Sequence, residues 1–282
     1  MSTSLPPFVW INGEITPTGE TRLSPFDQGL LVGDGAFETL ITYRGHPFAL
    51  HRHWLRLEAS CGVLDIPVPD EAILRVALLE VMLANQLTDA RVRITVTSGS
   101  GPLGSDRGTA ETTIIIAAVP LKPWSKTETL VTVPWARNER SAIAGVKSTS
   151  YAENVVALAY AKKRGGGEAL FLNTLGELCE GTGSNVFLVS NGCVKTPPLS
   201  SGCLAGVTRG LVIELCRKEG IPCSEAPLVL ADIVAADEVF ITSSTREVHA
   251  VVGVDVQTFK QGPITERLAS AFKRLTAAEI NP

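Results

Sequence analysis

The sequence predicts an α+β fold divided into two domains, on three observations. Strand-type and helix-type hydrophobic periodicities are mixed along the chain without regular βαβ repetition. A polar stretch at 120–129, holding Pro120 and Pro123, interrupts both periodicities and reads as a linker. The 282 residues leave room for one or two domains, at roughly 100–200 residues each. The expected division is therefore 1–120, a linker at 121–129, and 130–282.

The elements follow from local pattern. Residues 8–11 and 14–16 flank Asn12-Gly13, a strong hairpin signal. Between 70 and 86, Ile73, Leu74, Ala77, Leu78, Val81 and Met82 form a helical stripe. Residues 91–97 alternate polar and apolar, as a half-buried strand does, and 112–119 read as a more buried strand. Beyond the linker, 130–134 suggests a strand and 151–164 a helix ended by Gly165-Gly166-Gly167. Strands are expected at 169–173 and 186–189, the second turning at Ser190-Asn191-Gly192. A helix at 208–219 stops at Gly220, and a short helix at 230–236 leads into a strand at 238–242. A helix over 263–279 closes the chain.

Composition excludes several classes. Apolar residues make up 45% and charged residues 19%, which is incompatible with intrinsic disorder. A net charge of −4 argues against a nucleic-acid surface, which needs clustered Lys and Arg. Six cysteines without a C-x-x-C pair read as reduced thiols, neither a disulfide framework nor a zinc site. No signal-peptide pattern opens the chain, and the apolar runs are too short to span a bilayer. A soluble cytoplasmic protein is expected.

One motif misleads. Gly99-Ser100-Gly101-Pro102-Leu103-Gly104 fits G-x-G-x-x-G after a strand, yet the dinucleotide fingerprint needs a helix immediately after it. Ser105-Asp106-Arg107-Gly108 leads instead into another strand, so a long hairpin loop is expected, with Arg107 as a candidate anion contact for substrate.

The chemistry-bearing motifs are K-S-T-S-Y-A-E-N at 147–154 and E-A-L-F-L-N-T-L-G-E-L-C-E-G-T-G-S-N-V-F-L-V at 168–189. L-A-G-V-T-R-G at 204–210 and A-D-E-V-F-I-T-S-S-T at 236–245 join them. So do F-D-Q-G-L-L-V-G-D-G-A-F-E-T at 26–39 and H-R-H-W-L-R-L at 51–57. This set resembles the class IV aminotransferases, the fold-type IV pyridoxal phosphate (PLP) enzymes, over most of the chain. That group includes branched-chain and D-amino-acid aminotransferases and 4-amino-4-deoxychorismate lyase. The resemblance implies a D-amino-acid aminotransferase-like architecture: a small N-terminal α+β domain, a larger barrel-like C-terminal domain, and PLP in the cleft. It also implies a homodimer.

The resemblance implies roles for single residues. Lys147 would form the Schiff base and remove the substrate proton. An unperturbed lysine, with pKa near 10.4, is a poor nucleophile, and burial favours its neutral amine. Glu180 would pair with the pyridine nitrogen and keep the ring protonated, so that the cofactor acts as an electron sink. Phosphate would be held by Arg52, by backbone groups at Val207 and Thr208, and by Ser243 and Ser244. Asn185 and Tyr151 would flank the ring hydroxyl.

The reaction is read from 32–41. Branched-chain aminotransferases tend to show tyrosine, Phe-Glu-Gly and arginine there; this chain has Val32, Thr39 and Ile41. D-amino-acid enzymes tend to add an Arg-x-His motif, which 98–107 lacks. Thr39 resembles the lyase, where a threonine hydroxyl near the cofactor assists proton movement, although a β-branched residue also suits any strand. The expectation leans to elimination, giving 4-aminobenzoate and pyruvate. Transamination of branched-chain amino acids, D-amino acids or (R)-amines stands as the alternative, and PLP binding without turnover as the remote one.

Overall fold

The structure, a computed structural model, describes residues 5–282 and comprises two compact units. The first contains the described residues up to Lys122, together with Val146–Tyr151 and Glu279–Pro282. The second contains Pro123–Gly145 and Ala152–Ala278.

In the first unit the order is β1 (Phe8–Ile11), β2 (Glu14–Pro17), α1 (Gln28–Leu31), β3 (Gly35–Tyr43) and β4 (His46–Pro47). Then come α2 (Leu50–Val63), α3 (Glu71–Ala84), β5 (Ala90–Thr97) and β6 (Thr113–Pro120). The strands form one antiparallel sheet in the order β2-β1-β6-β5-β3-β4. The Asn12-Gly13 hairpin sits where expected, pairing Ile11 with Glu14. Alternation puts Ala36, Glu38 and Leu40 on the buried face of β3, and Leu50 and Leu57 of α2 join Leu74 and Leu78 of α3 in the same core. Each such leucine contributes roughly 1.5–3 kcal/mol by leaving water. Thr97 pairs with Thr113 across the long loop, and no helix follows Gly104. The dinucleotide reading therefore fails on the missing helix.

The grouping of Val146–Tyr151 corrects the sequence reading, which gave Lys147 to the second domain. The segment runs along the free edge of β3. The Phe37 amide donates to the Lys147 carbonyl at 2.9 Å, the Thr149 amide donates to the Gly35 carbonyl at 2.8 Å, and Ala36 bridges Ser148. Tyr151 ends this edge segment instead of starting a helix.

The second unit runs β7 (Glu128–Arg137), α4 (Ala152–Lys162), β8 (Glu168–Asn173), β9 (Leu178–Gly181), β10 (Asn185–Ser190) and β11 (Cys193–Thr196). It continues with α5 (Val207–Lys218), β12 (Cys223–Glu225), α6 (Leu230–Val234), β13 (Glu238–Ser243), β14 (Glu247–Val254), β15 (Gln257–Thr258) and α7 (Pro263–Ala278). Its sheet follows the path β12-β11-β10-β13-β14-β7-β8-β9, with β15 on β14. A tight turn joins β9, at one end of the path, to β10 within it, the Gly181 amide donating to the Ser184 carbonyl at 2.7 Å. The sheet thus curls back on itself, as the barrel-like expectation requires. Leu130, Leu170, Val186, Val239 and Val251 fill its core.

All six cysteines are free thiols. Among the described residues no helix is long and apolar enough to cross a membrane, and no cluster of His, Cys, Asp or Glu could hold a metal.

Candidate active site

Phe37 is the centre of the candidate site in the first unit. The Lys147 Nζ lies 4.5 Å from its ring centroid, the Arg93 guanidinium 3.7 Å, and the Tyr151 ring packs edge-on at 5.3 Å. Sheet register explains the grouping: Thr39 pairs with Arg93 and Phe37 with Thr95, so these four side chains share one face. Thr39 therefore stands on the same face as the ring beside Lys147. Arg93 is half-buried, its Nε donating to the Thr95 hydroxyl at 3.1 Å, and no carboxylate among the described residues forms an ion pair with it. Burial, then the neighbouring charge of Arg91, pulls its pKa down.

The opposite face of β3 holds a buried charge cluster. Arg56 grips Glu38 through Nε to Oε1 at 2.7 Å and Nη2 to Oε2 at 2.8 Å, and His53 Nδ1 lies 2.7 Å from Oε2. Burial alone would raise the Glu38 carboxyl, but the charges of Arg56 and His53 outweigh it and hold the group well below its usual range. Burial dominates at His53 and lowers it, against the raising effect of the Glu38 charge. Burial, reinforced by the Glu38 charge, pushes the Cys61 thiol up to about 11. The Lys147 amide donates to the Ser60 hydroxyl at 3.2 Å, so α2 holds the lysine backbone from below.

Two sequence expectations meet different surroundings here. Arg52 Nε donates to the Pro282 carbonyl at 2.7 Å and ties α2 to the closing residues. Arg56, one turn onward, lies about 6 Å along the axis from Ser60, whereas Arg52 lies about 12 Å away. Arg107 is clamped on Asp34 by Nε and Nη2, both at 2.8 Å, and Nη1 reaches the Asp65 carbonyl. This ion pair pins the long loop to the turn before β3 and leaves Arg107 neutralised.

In the second unit, Leu204 organises the expected cofactor residues. Its amide donates to Glu180 Oε2 at 2.9 Å, and its carbonyl accepts from Asn185 Nδ2 at 2.9 Å. Two residues on, Gly206 caps α5 with no side-chain partner for the first turn. A Cβ on Gly206 would lie 2.0 Å from Asn185 Oδ1, so only glycine allows this approach. Val207 and Thr208 open α5 and are buried. Asn185 pairs with Thr242 in register, which sets Ser243 and Ser244 at the end of the neighbouring strand.

This donor set fits PLP. An uncapped 12-residue helix start and three hydroxyl residues suit a phosphate dianion. A backbone-anchored carboxylate suits a protonated pyridine nitrogen. The sequence profile of amino-transferase class IV matches residues 35–254. The chain belongs to that family. It is an enzyme, and its cofactor is PLP.

The "Putative branched-chain-amino-acid aminotransferase" of Methanocaldococcus jannaschii is 38% identical over 274 residues, covering 94% of this chain and 95% of that protein. The branched-chain aminotransferase of Thermoproteus uzoniensis, solved with norvaline, superposes with a TM-score of 0.91 at 29% identity, covering 97% and 96%. A structure named "Putative 4-amino-4-deoxychorismate lyase", from Legionella pneumophila, gives 0.87 at 25% identity, covering 91% and 96%.

Sequence reasoning missed Glu38, His53, Arg56 and Arg93 as site residues. A signal existed for Arg56: Leu50, His53, Leu57 and Ser60 form the buried stripe of α2, and Arg56 borders it. For Arg93 the signal was the alternation of β5, which sets it opposite Thr39.

Proposed function

We propose that this enzyme is an aminotransferase acting on branched-chain amino acids. The observation that carries the reading is Arg93, a half-buried cation with no carboxylate partner among the described residues, stacked on the same ring as Lys147. Such a group accepts a substrate α-carboxylate. The similarity to branched-chain aminotransferases supports transamination over elimination.

PLP, when bound, supplies an electron sink for the carbon that loses its proton. Lys147 carries the cofactor and moves that proton. Its backbone is fixed on two sides, by β3 and by Ser60, so the amine turns only about its own side-chain torsions. The Phe37 ring lies against the amine, and Tyr151 packs edge-on to that ring. Glu180, held by the Leu204 amide, would pair with the pyridine nitrogen, and Asn185 and Tyr151 would be the groups for the ring hydroxyl. Val207, Thr208, Ser243 and Ser244 would hold the phosphate. The cation for the phosphate would come from α2, from Arg52 or from Arg56, of which Arg56 is nearer along the helix to the lysine's anchor. The active form is a homodimer, and the reduced thiols suit the cytoplasm.

Elimination is the second reading. Thr39, on the lysine-bearing face, and the likeness to the Legionella structure favour it. Mixing the PLP-loaded enzyme with L-leucine, L-valine, D-alanine or 4-amino-4-deoxychorismate separates the possibilities. The expected result is rapid conversion of the pyridoxal band to the pyridoxamine band with the L-branched-chain substrates. Release of 4-aminobenzoate and pyruvate, without conversion by any amino acid, would establish the lyase instead. Conversion only by D-alanine would move the substrate to the D series.

A further inference from the structure

We infer that Glu168 is a positioning residue, whose buried carboxylate folds the turn that presents Glu180 and Asn185. This rests on the proposed roles of those two residues toward PLP. Glu168 opens β8 and is only 3% exposed. A carboxylate so deeply buried needs compensating donors, and three of those available come from one turn. Its Oε1 accepts from the Thr182 amide at 3.0 Å and from the Thr182 hydroxyl, while Oε2 accepts from the Ser184 hydroxyl at 3.2 Å. The Ala169 amide also donates to Oε1, at 3.1 Å.

The turn is held from its other side as well. Asn154 of α4 donates Nδ2 to the Thr182 carbonyl at 2.6 Å. The 181–184 segment is thus closed over the carboxylate with little slack. A Cβ on Gly181 would lie 2.4 Å from the Ser184 hydroxyl and 3.2 Å from the Glu168 carboxyl carbon, so a larger residue there pushes the turn off its anchor. Glu180 precedes this turn and Asn185 follows it, and both fasten to Leu204. Arg246 backs the arrangement: it donates to Glu128 at 2.6 Å, and its Nη2 stands 4.0 Å from Glu168 Oε2. The carboxylate thereby sets where the two flanking side chains start, without touching the cofactor itself.

Glu168→Gln keeps the shape and removes the charge; Thr182→Val removes one donor and leaves Glu168 intact. Two measurements on each variant test the inference. The first is amide hydrogen exchange across 180–185 in protein stripped of PLP, which needs no cofactor chemistry. The second is the absorption maximum of the PLP-loaded enzyme, with kcat and KM for its amino-acid substrate. Faster exchange confined to 180–185, a displaced absorption maximum, and kcat reduced at least tenfold at unchanged KM are expected for Glu168→Gln. Thr182→Val should do the same to a smaller extent, and Thr182→Ser should restore wild-type values. Unchanged exchange at 180–185 would overturn the inference. So would faster exchange with a wild-type spectrum and kcat, since the carboxylate would then be structural only. A wild-type protein that binds no PLP would defeat the cofactor reading separately, before any variant is made.

Discussion

Glu38 in the first unit and Glu168 in the second are both buried carboxylates, and the two are stabilised in opposite ways. Glu38 is neutralised by a charged partner, the bidentate Arg56, with His53 as a further donor. Glu168 is surrounded by neutral donors, two hydroxyls and two amides, with Arg246 beyond hydrogen-bond distance. The first joins a helix to a strand, so its loss opens a packed layer. The second gathers one short turn, so its loss is felt locally. The same residue type therefore serves the stability of one unit and the presentation of site residues in the other.

The largest expected effect lies outside both clusters and calibrates them. Lys147→Ala should abolish turnover and the borohydride-sensitive absorption band, while the thermal midpoint stays close to wild type. A residual band in that variant would reassign the lysine.

Glu38→Ala comes next, because it leaves Arg56 and His53 buried without their partner. A loss of about 3–5 kcal/mol is expected from breaking a buried pair on one side. Urea unfolding measures it, and a loss under about 1 kcal/mol, the surface-pair value, would remove the contrast with Glu168.

Acid sharpens the same contrast. The Glu38 carboxyl and the His53 ring are both held below their ordinary values of 4.5 and 6.5. The unfolded chain then binds more protons than the folded one, so stability falls as the pH falls. The His53 contribution begins to be lost as pH drops through 6.5, and that of Glu38 as it drops through 4.5. Urea midpoints should therefore decline in two stages from pH 8 to pH 4; a flat midpoint from 7 to 5 would contradict the His53 assignment.

The smallest effect is expected at Arg107 and Asp34. Arg107 is partly exposed, and such pairs are worth about 0–1 kcal/mol. Arg107→Ala should change the thermal midpoint little and leave KM within twofold. A large rise in KM would return Arg107 to the role of substrate anion contact that its loop position first suggested.

Much of this was legible in the sequence. The helical stripe from Ile73 to Met82 became α3, and the alternation after Arg91 became β5. Lys147, Glu180, Asn185 and Thr208 were singled out by motif as candidates, and their roles toward the cofactor are proposals. What escaped was long-range: no local pattern shows that Val146–Tyr151 lies along β3, because its partners are more than a hundred residues away. The different surroundings of Arg52 and Arg56 escaped for a related reason. Both lie in H-R-H-W-L-R-L, and only the opposing Glu38 on β3 distinguishes them. Thr39 was found by resemblance, but its neighbour across the sheet, Arg93, was not, since cross-strand register is invisible to either strand alone.

The central claim is that Lys147 carries the cofactor. Reducing the PLP-loaded enzyme with borohydride, digesting it and mapping the modified peptide by mass tests this directly. The phosphopyridoxyl group should be found on Lys147 and on no other lysine. Its appearance on a different lysine, or a reduced protein carrying none, would contradict the assignment.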